Sequence, residues 1–510
     1  MRAALTDVLL PSFFPFGLAQ WPVAVLLVVN LAVLVVAIIY IPRTRRPTTA
    51  LAWLLTIFLI PYLGVALFFL FGTNRLSRKR RDMQARADTI IRDAIERVDT
   101  TSLRVLDVDR DGLPPGAPET MRQVFRLNRN LTAIPSTPGN RLELFSSYNR
   151  TIRIMADEID TAETYVHALF YAMSMDDATA PFFDALDRAV RRGVVVRVLF
   201  DHIGSRRYPG YNAMKRRLRE IGCEWRPMLP IWPWAWVGNG YQRIDLRNHR
   251  KLLVVDGRTA FMGSQNMIDR GYHKGGDLKW KDLVVRIEGP TVAGVDAIFF
   301  TDWFGETGQF IADDYDAIGS WPQPVAGGDT TQVVPSGPGY EEENNLRLFN
   351  QLMYGATERV TIVSPYFVPD DSLLYAITTA VQRGVEVELF AGEIGDQFFV
   401  YHAQRSYYEI LLKAGVRIWL YRKPFILHSK HITFDDDVAL IGSSNLDQRS
   451  FTLNAEMMLM VYGADFVRRL REVENGYRQR SFELTLELWK QEPWLGRAFD
   501  SLARLTSAVQ

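Results

Sequence analysis

Two eighteen-residue stretches of the chain repeat one polar skeleton in register. Residues His249 to Asn266 and His428 to Asn445 both read His-x-Lys, four residues, Asp, six residues, Gly-Ser-x-Asn. His249, Lys251, Asp256, Gly263, Ser264 and Asn266 map onto His428, Lys430, Asp435, Gly442, Ser443 and Asn445. Chance does not keep six polar or special residues aligned over such a window. A chain with this pattern must fold as two related halves, each presenting the same side chains.

The flanking sequence supports the duplication. In the first half an apolar run, Tyr165 to Tyr171, precedes an expected helix over Ala180 to Arg191 and a β-branched strand over Gly193 to Phe200. In the second half Val360 to Tyr366, Asp371 to Gln382 and Gly384 to Phe390 repeat the order. Strand, helix and strand with right-handed crossovers predict a mostly parallel sheet in each half. The fold class expected is therefore α/β, two α-β-α halves related by pseudo-two-fold symmetry. One asymmetry stands out. Gly222 and Gly415 occupy matching turns, but the first half carries extra residues before its motif, in Met228 to Tyr241, which include Trp232, Trp234 and Trp236.

The N-terminal region differs in character. Trp21 to Ile41 is apolar except for Asn30, long enough to span a bilayer as a helix, and too long for a cleaved leader. Ala50 to Phe71 is a second apolar run, interrupted by Pro61 and Gly64. The expectation is two transmembrane helices at about 21–41 and 50–71, the alternatives for the second being a re-entrant segment or a helical hairpin. Basic residues follow the second run at Arg75, Arg78, Lys79, Arg80 and Arg81, which places the remaining chain in the cytoplasm. The domains expected are a membrane region over 1–74, a juxtamembrane spacer over 75–125, first and second catalytic domains over 126–322 and 323–490, and a tail over 491–510. Within the tail, Pro493 to Leu505 has apolar residues at helical spacing and reads as a helix docked on the catalytic portion, the alternative being membrane binding.

Composition excludes several classes. Lys and Arg total 59 against 58 acids, so the chain is no globally basic nucleic-acid binder. A single cysteine, Cys223, rules out an internal disulfide framework and the usual structural zinc sites.

The chemistry follows from residue types. Two copies of His-x-Lys facing each other put two imidazoles and two ammoniums around one place, an anion pocket suited to a phosphate that develops charge. One histidine can attack phosphorus to give a phosphohistidine while the other protonates the leaving oxygen and then deprotonates an incoming hydroxyl. No metal or other cofactor is needed for this. The catalytic candidates are His249, Lys251, Asp256, His428, Lys430 and Asp435. The phosphate-binding or supporting candidates are Asn266, Asn445, Ser264, Ser443, Asp282 and Glu456. Asp282 and Glu456 are the carboxylates available to orient the histidines; the sequence does not say which serves which.

The doubled motif resembles the phospholipase D superfamily. The two N-terminal apolar segments, Asp245-Leu-Arg-Asn-His249, Arg286-Ile-Glu-Gly-Pro290, Pro335-Ser-Gly-Pro338, Pro365-Tyr-Phe-Val-Pro-Asp370 and Asn445-Leu-Asp-Gln-Arg-Ser450 are similar to the bacterial cardiolipin synthase branch. That resemblance implies phosphatidyl transfer between two phosphatidylglycerol molecules, with anionic phospholipid and the membrane as partners, no nucleic acid and no cofactor. It implies that His249 is the nucleophile and His428 the acid/base, and that Asp256 and Asp435 serve structure rather than direct chemistry. The alternative is a membrane-tethered phospholipase D that hydrolyses phospholipids with the same residues.

Overall fold

The structure is a computed structural model that describes residues 21–45, 47–72, 76–99, 117–231, 243–272, 277–311, 322–340 and 342–505. The chain divides into two compact units, Met1–Thr73 and Asn74–Gln510.

In the first unit, α1 (Trp21–Thr44) is one continuous helix, and its Val25–Thr44 stretch is long and apolar enough to cross a membrane. The second apolar run does not form one helix. It breaks at Ile60 (φ −137°, ψ 74°) into α2 (Pro47–Leu59) and α3 (Pro61–Phe71). Pro61 has no amide hydrogen to continue the ladder, so it starts a new helix. The two pieces fold back on one another. A Cβ on Gly64 would lie 2.7 Å from the Ile57 Cα, and the Trp53 and Phe68 rings meet edge to face at 5.3 Å. Both pairs are symmetric about the Ile60–Pro61 break, the mark of an antiparallel helical hairpin. At 13 and 11 residues, α2 and α3 measure about 20 and 17 Å, short of the ~30 Å hydrocarbon core. The expected second spanning helix is thus replaced by a hairpin.

The second unit is built on one continuous sheet. From one edge its strands run Ser481–Leu484, Arg417–Tyr421, Glu386–Gly392, Arg359–Val363, His431–Phe434, Val438–Gly442, Asn454–Tyr462 and Asp329–Ser336. It continues through Thr137–Phe145, Val284–Glu288, Thr259–Gly263, Lys251–Val255, Tyr165–Phe170, Val195–Asp201 and Glu224–Met228. Apart from the extra edge strand Ser481–Leu484, the order is a palindrome about the antiparallel pair Thr137–Phe145 and Asp329–Ser336, so the duplication in sequence becomes a two-fold in space. Helices Ala180–Arg191 and Asp371–Gln382 fall where the sequence places them.

The sheet is not mostly parallel. Along this order only two pairings in each half are parallel, joining Tyr165–Phe170, Val195–Asp201 and Glu224–Met228, and their second-half counterparts. The remainder are antiparallel. The motif itself imposes this. Lys251–Val255 returns as Thr259–Gly263 through a turn of three residues, and a connection that short joins only antiparallel strands. Helix Glu119–Thr132 runs through the expected boundary at 126, and its Met121, Val124 and Phe125 pack in the core of the second half.

Candidate active site

Each motif strand is buried along its whole length, yet a lysine stands at or just before its start. His249 and His428 precede these strands, each held by a backbone bond to the opposite half. The His249 amide donates to the Ala455 carbonyl at 2.8 Å, and the His428 amide donates to the Lys281 carbonyl at 2.8 Å. Those pairings bring the carboxylates in. His249 Nδ1 lies 2.9 Å from Glu456 Oε1, and His428 Nδ1 lies 2.6 Å from Asp282 Oδ1. Each histidine is therefore oriented by a carboxylate from the other half.

Ser264 and Ser443 anchor those carboxylates. Ser264 Oγ donates to Asp282 at 2.7 Å, and Ser443 Oγ donates to Glu456 at 2.5 Å. The motif glycines explain the spacing. A Cβ on Gly263 would sit 2.4 Å from the Leu283 carbonyl oxygen, and one on Gly442 would sit 2.2 Å from that of Met457. Only glycine lets the motif's second strand approach the carboxylate strand this closely.

Lys251 Nζ donates to the His249 carbonyl at 2.5 Å and Lys430 Nζ to the His428 carbonyl at 2.7 Å. Both lysines act on both imidazoles, so the two motifs form one site. Asn266 Nδ2 donates to the Tyr272 hydroxyl at 3.3 Å, and its Oδ1 accepts from the Ala172 amide. Asn445 is buried with its amide hydrogen on Ser450 Oγ at 3.2 Å, and its side-chain oxygen has no partner among the described residues.

Asp256 and Asp435 stand apart from this cluster. Asp256 terminates its strand in left-handed backbone (φ 51°), about 16 Å along the chain from Lys251. Its carboxylate accepts from the Glu163, Thr164 and Tyr165 amides and the Thr164 hydroxyl. Asp435 (φ 46°) does the same for Thr357, Glu358 and Arg359. Both aspartates tie the strand turn to the start of the neighbouring strand, and neither touches a histidine or lysine of the cluster. Counting them as catalytic from their place in the motif is corrected on that ground.

Burial sets the protonation of the site. Burial, then the lysine charges, hold His249 well below the ordinary imidazole range and lower His428 to about 4. Burial lowers Lys251 to about 7 and Lys430 to about 8. The two carboxylates differ. Burial pushes Glu456 up to about 7, against the pull of Lys251 and Ser443. Burial also acts to raise Asp282, but His428, Lys430 and Ser264 outweigh it and hold the carboxylate below its usual range.

Several neighbours carried no sequence signal of their own. Tyr171 meets His249 edge to face at 4.8 Å, lies under Lys251 Nζ, and accepts from Arg207 at 3.3 Å. Trp280 packs against His428 at 4.6 Å and stacks on Tyr272 at 5.2 Å. Ser450 Oγ donates to Glu456 at 3.0 Å. Its place at the end of Asn445-Leu-Asp-Gln-Arg-Ser450 was the one hint available. Among the other described histidines, His167 is stacked between Tyr165 and Phe299, and His431 bonds to Ser429, so neither belongs to the cluster. The tryptophan insertion at 232–236 lies outside the described residues. Among the described residues no group of His, Cys, Asp and Glu could hold a metal ion.

Comparison with known proteins gives a consistent picture. The family described as "Cardiolipin synthase, PLD-like domain" matches residues 155–303 and 349–475, and "Phospholipase_D-nuclease N-terminal" matches 31–72. Cardiolipin synthase A of Proteus mirabilis is 31% identical over 468 residues, covering 91% of this chain and 94% of that protein. Cardiolipin synthase A of Pectobacterium carotovorum is 32% identical, covering 90% and 92%. Among solved structures, phosphatidylserine synthase of Haemophilus influenzae has a similar fold, with a TM-score of 0.57 and 17% identity, over 77% of this chain and 100% of that one.

Proposed function

The chain belongs to the cardiolipin synthase family with phospholipase D-like domains and is a phospholipid phosphatidyltransferase, and from that premise we propose that it joins two phosphatidylglycerol molecules into cardiolipin and glycerol through a phosphohistidine. The observation that carries this reading is the crossed pair of histidine–carboxylate contacts beneath two lysines. His249 Nε2 attacks the phosphorus of the donor lipid, and the bond from phosphorus to the headgroup glycerol oxygen breaks. His428 delivers a proton to that oxygen, and glycerol leaves. His428, now neutral, takes the proton from the terminal hydroxyl of a second phosphatidylglycerol. That oxygen attacks phosphorus, the phosphorus–nitrogen bond breaks, and cardiolipin forms.

The unequal carboxylates support this division of roles. A glutamate pushed up to about 7 does little to charge His249, which favours a neutral nucleophile. An ionised Asp282 stabilises the imidazolium that His428 must become. A bound phosphodiester adds a negative charge among Lys251, Lys430 and His428, raising all three toward their protonated forms.

The N-terminal apolar helix and the family place the protein at the membrane. In our reading α1 spans the bilayer and the α2–α3 hairpin enters and leaves on one side. Arg43 and Arg45 then lie on the same side as Arg78 to Arg81, and this concentration of positive charge supports a cytoplasmic catalytic portion.

The test is product analysis. Purified protein receives phosphatidylglycerol labelled in headgroup and acyl chains, with and without phosphatidylethanolamine. Cardiolipin and glycerol in equal amounts are expected; phosphatidic acid with glycerol would mean hydrolysis. Acid-labile, base-stable phosphate on the denatured protein, lost in His249→Ala, identifies the intermediate. Full activity in either His249→Ala or His428→Ala overturns the two-histidine scheme.

A further inference from the structure

The C-terminal helix, Trp494–Arg504, is docked the wrong way round for a soluble protein. Its buried residues are Asp500 and Ala503. Asp500 accepts from His402 Nδ1 at 2.6 Å and from Arg405 Nε at 3.2 Å, both on helix Phe398–Arg405. Arg405 also pairs with Glu492 at 3.1 Å. At about 100° per residue, a helix that turns Asp500 and Ala503 inward turns Trp494, Leu495, Ala498, Leu502 and Leu505 outward. Trp494 is 69% exposed, Leu495 64% and Leu502 62%. Amphipathic helices of soluble proteins bury that stripe and expose the other.

The stripe continues onto the partner helix. Phe499 meets the Phe398 ring at 5.5 Å, and Phe398 and Phe399 are 60% and 56% exposed. The patch also borders the active site. Asp396, two residues before Phe398, accepts from the Tyr366 hydroxyl at 2.8 Å, and its charge is felt at Lys430. Arg497 and Arg504, both half-buried, stand at the border between the outward stripe and the docked face, with Arg504 over the Tyr407 ring at 4.6 Å.

We propose that Phe398, Phe399, Trp494, Leu495 and Leu502 form a bilayer-docking surface that seats the active-site entrance in the headgroup layer of an anionic membrane. Three observations select this occupant. The chain carries its own spanning-length helix, so a bilayer is always at hand. The cationic border complements anionic lipid headgroups. The patch ends in a tryptophan, whose apolar ring and polar N–H suit the interface. The inference rests on the lipid-transferring reading above and adds how a two-tailed substrate reaches a buried histidine with only partial extraction from the bilayer.

The experiment uses the full chain reconstituted in vesicles of phosphatidylglycerol and phosphatidylethanolamine. Leu502→Cys, in a Cys223→Ser background, is labelled with a short-range fluorophore and challenged with acyl-brominated lipids. Strong quenching is expected, with none at a labelled site on the opposite face. The variants Leu495→Glu/Leu502→Glu and Phe398→Ser/Phe399→Ser are expected to raise the KM for vesicle phosphatidylglycerol by about tenfold. Their turnover of monomeric short-chain phosphatidylglycerol should stay within about twofold of the unmodified protein, since no catalytic group is touched. Absence of quenching, equal loss on both substrates, or cross-linking of the unlabelled Leu502→Cys variant to a second copy through its introduced thiol overturns the proposal. Failure of the chemical reading shows separately, as the unmodified protein making no cardiolipin from the short-chain lipid.

Discussion

His428 Nδ1 and Asp282 Oδ1 are 2.6 Å apart although 146 residues separate them in the chain. With the reciprocal His249–Glu456 contact, this makes each half incomplete alone: it holds a histidine and the carboxylate for its twin. Two short parallel pairings make the exchange: Arg247–Asn248, just before the first motif, pairs with Asn454–Ala455, and Phe425–Leu427, just before the second, pairs with Lys279–Lys281.

Asp282→Asn removes the charge that stabilises the His428 imidazolium while keeping the shape. We expect kcat to fall by about 10²–10⁴-fold with little change in KM, by analogy with other histidine-orienting aspartates. Glu456→Gln should cost less, about 10–100-fold, because that carboxyl is already pushed up to about 7. Single-turnover measurement separates the two. Asp282→Asn slows departure of the headgroup, so less phosphoprotein forms. If both variants stay within about threefold of the unmodified enzyme, the orienting role is wrong.

The two buried lysines strain the site electrostatically. Folding lowers Lys251 to about 7 and Lys430 to about 8, from 10.5. Between those values and 10.5 the unfolded chain keeps protons that the folded chain has released. Stability from these groups therefore rises with pH over that window, and the cost of burying their charge is full below about 7. Lys430→Met should raise the thermal midpoint at about pH 6.5 by ~1 °C, a gain of about 1 kcal/mol, and the gain should fade by about pH 10. The same variant should lose activity by at least about 10²-fold. In the unmodified enzyme KM for phosphatidylglycerol should climb above about pH 8, as the ammonium that holds the phosphate titrates. A flat KM from about pH 7 to about pH 9.5 contradicts the clamp.

Much of this site was legible before the fold. The repeat gave both histidines and both lysines, because chemistry constrains residue type and spacing alike; Asp282 and Glu456 lie outside it and were candidates only as carboxylates that follow each motif. The crossing of carboxylates was not legible, since it depends on how distant strands pair. The sheet was misread for a related reason. The βαβ pattern of Tyr165 to Phe200 is local and strong, but direction in the motif strands is set by a three-residue turn that hydrophobic pattern does not reveal. The second apolar run was long enough to span; only the Ile60 backbone and the close approach at Gly64 turn it into a hairpin. The C-terminal helix was recognised from its spacing, which does not say which face docks.

Asp256 and Asp435 belong to the motif for the fold's sake. Asp256 gathers three amides and a hydroxyl on one carboxylate. Charge-assisted bonds of this kind contribute ~1.5–3 kcal/mol each, with strong overlap. Asp256→Ala should lower stability by about 3 kcal/mol, while kcat per folded molecule stays within about threefold. Thermal unfolding together with active-site titration checks this. A large drop in kcat at full stability would return Asp256 to the chemistry.

In sequence Arg80 is one of five basic residues after the apolar runs that read as an orientation signal. In the structure it is buried, and its guanidinium grips Glu306 at 2.6 and 2.7 Å. Glu306 also accepts from the Leu229 amide at 2.9 Å. One carboxylate thus fastens helix Arg78–Asp99 to helix Thr291–Thr307 and to the residues that lead toward the His249 strand. Close by, Arg250 grips Asp302 of the same helix at 2.7 Å. Removing one member of a buried pair strands the other charge, at a cost of about 3–5 kcal/mol. Glu306→Ala and Arg80→Ala should each lower the thermal midpoint by several degrees, and the double variant should be no worse than either single one. Arg78, two residues before Arg80 and exposed, is the control: Arg78→Ala should shift the midpoint by less than about 0.5 kcal/mol equivalent. Additive losses at Arg80 and Glu306 would show that the pair does not act as a unit.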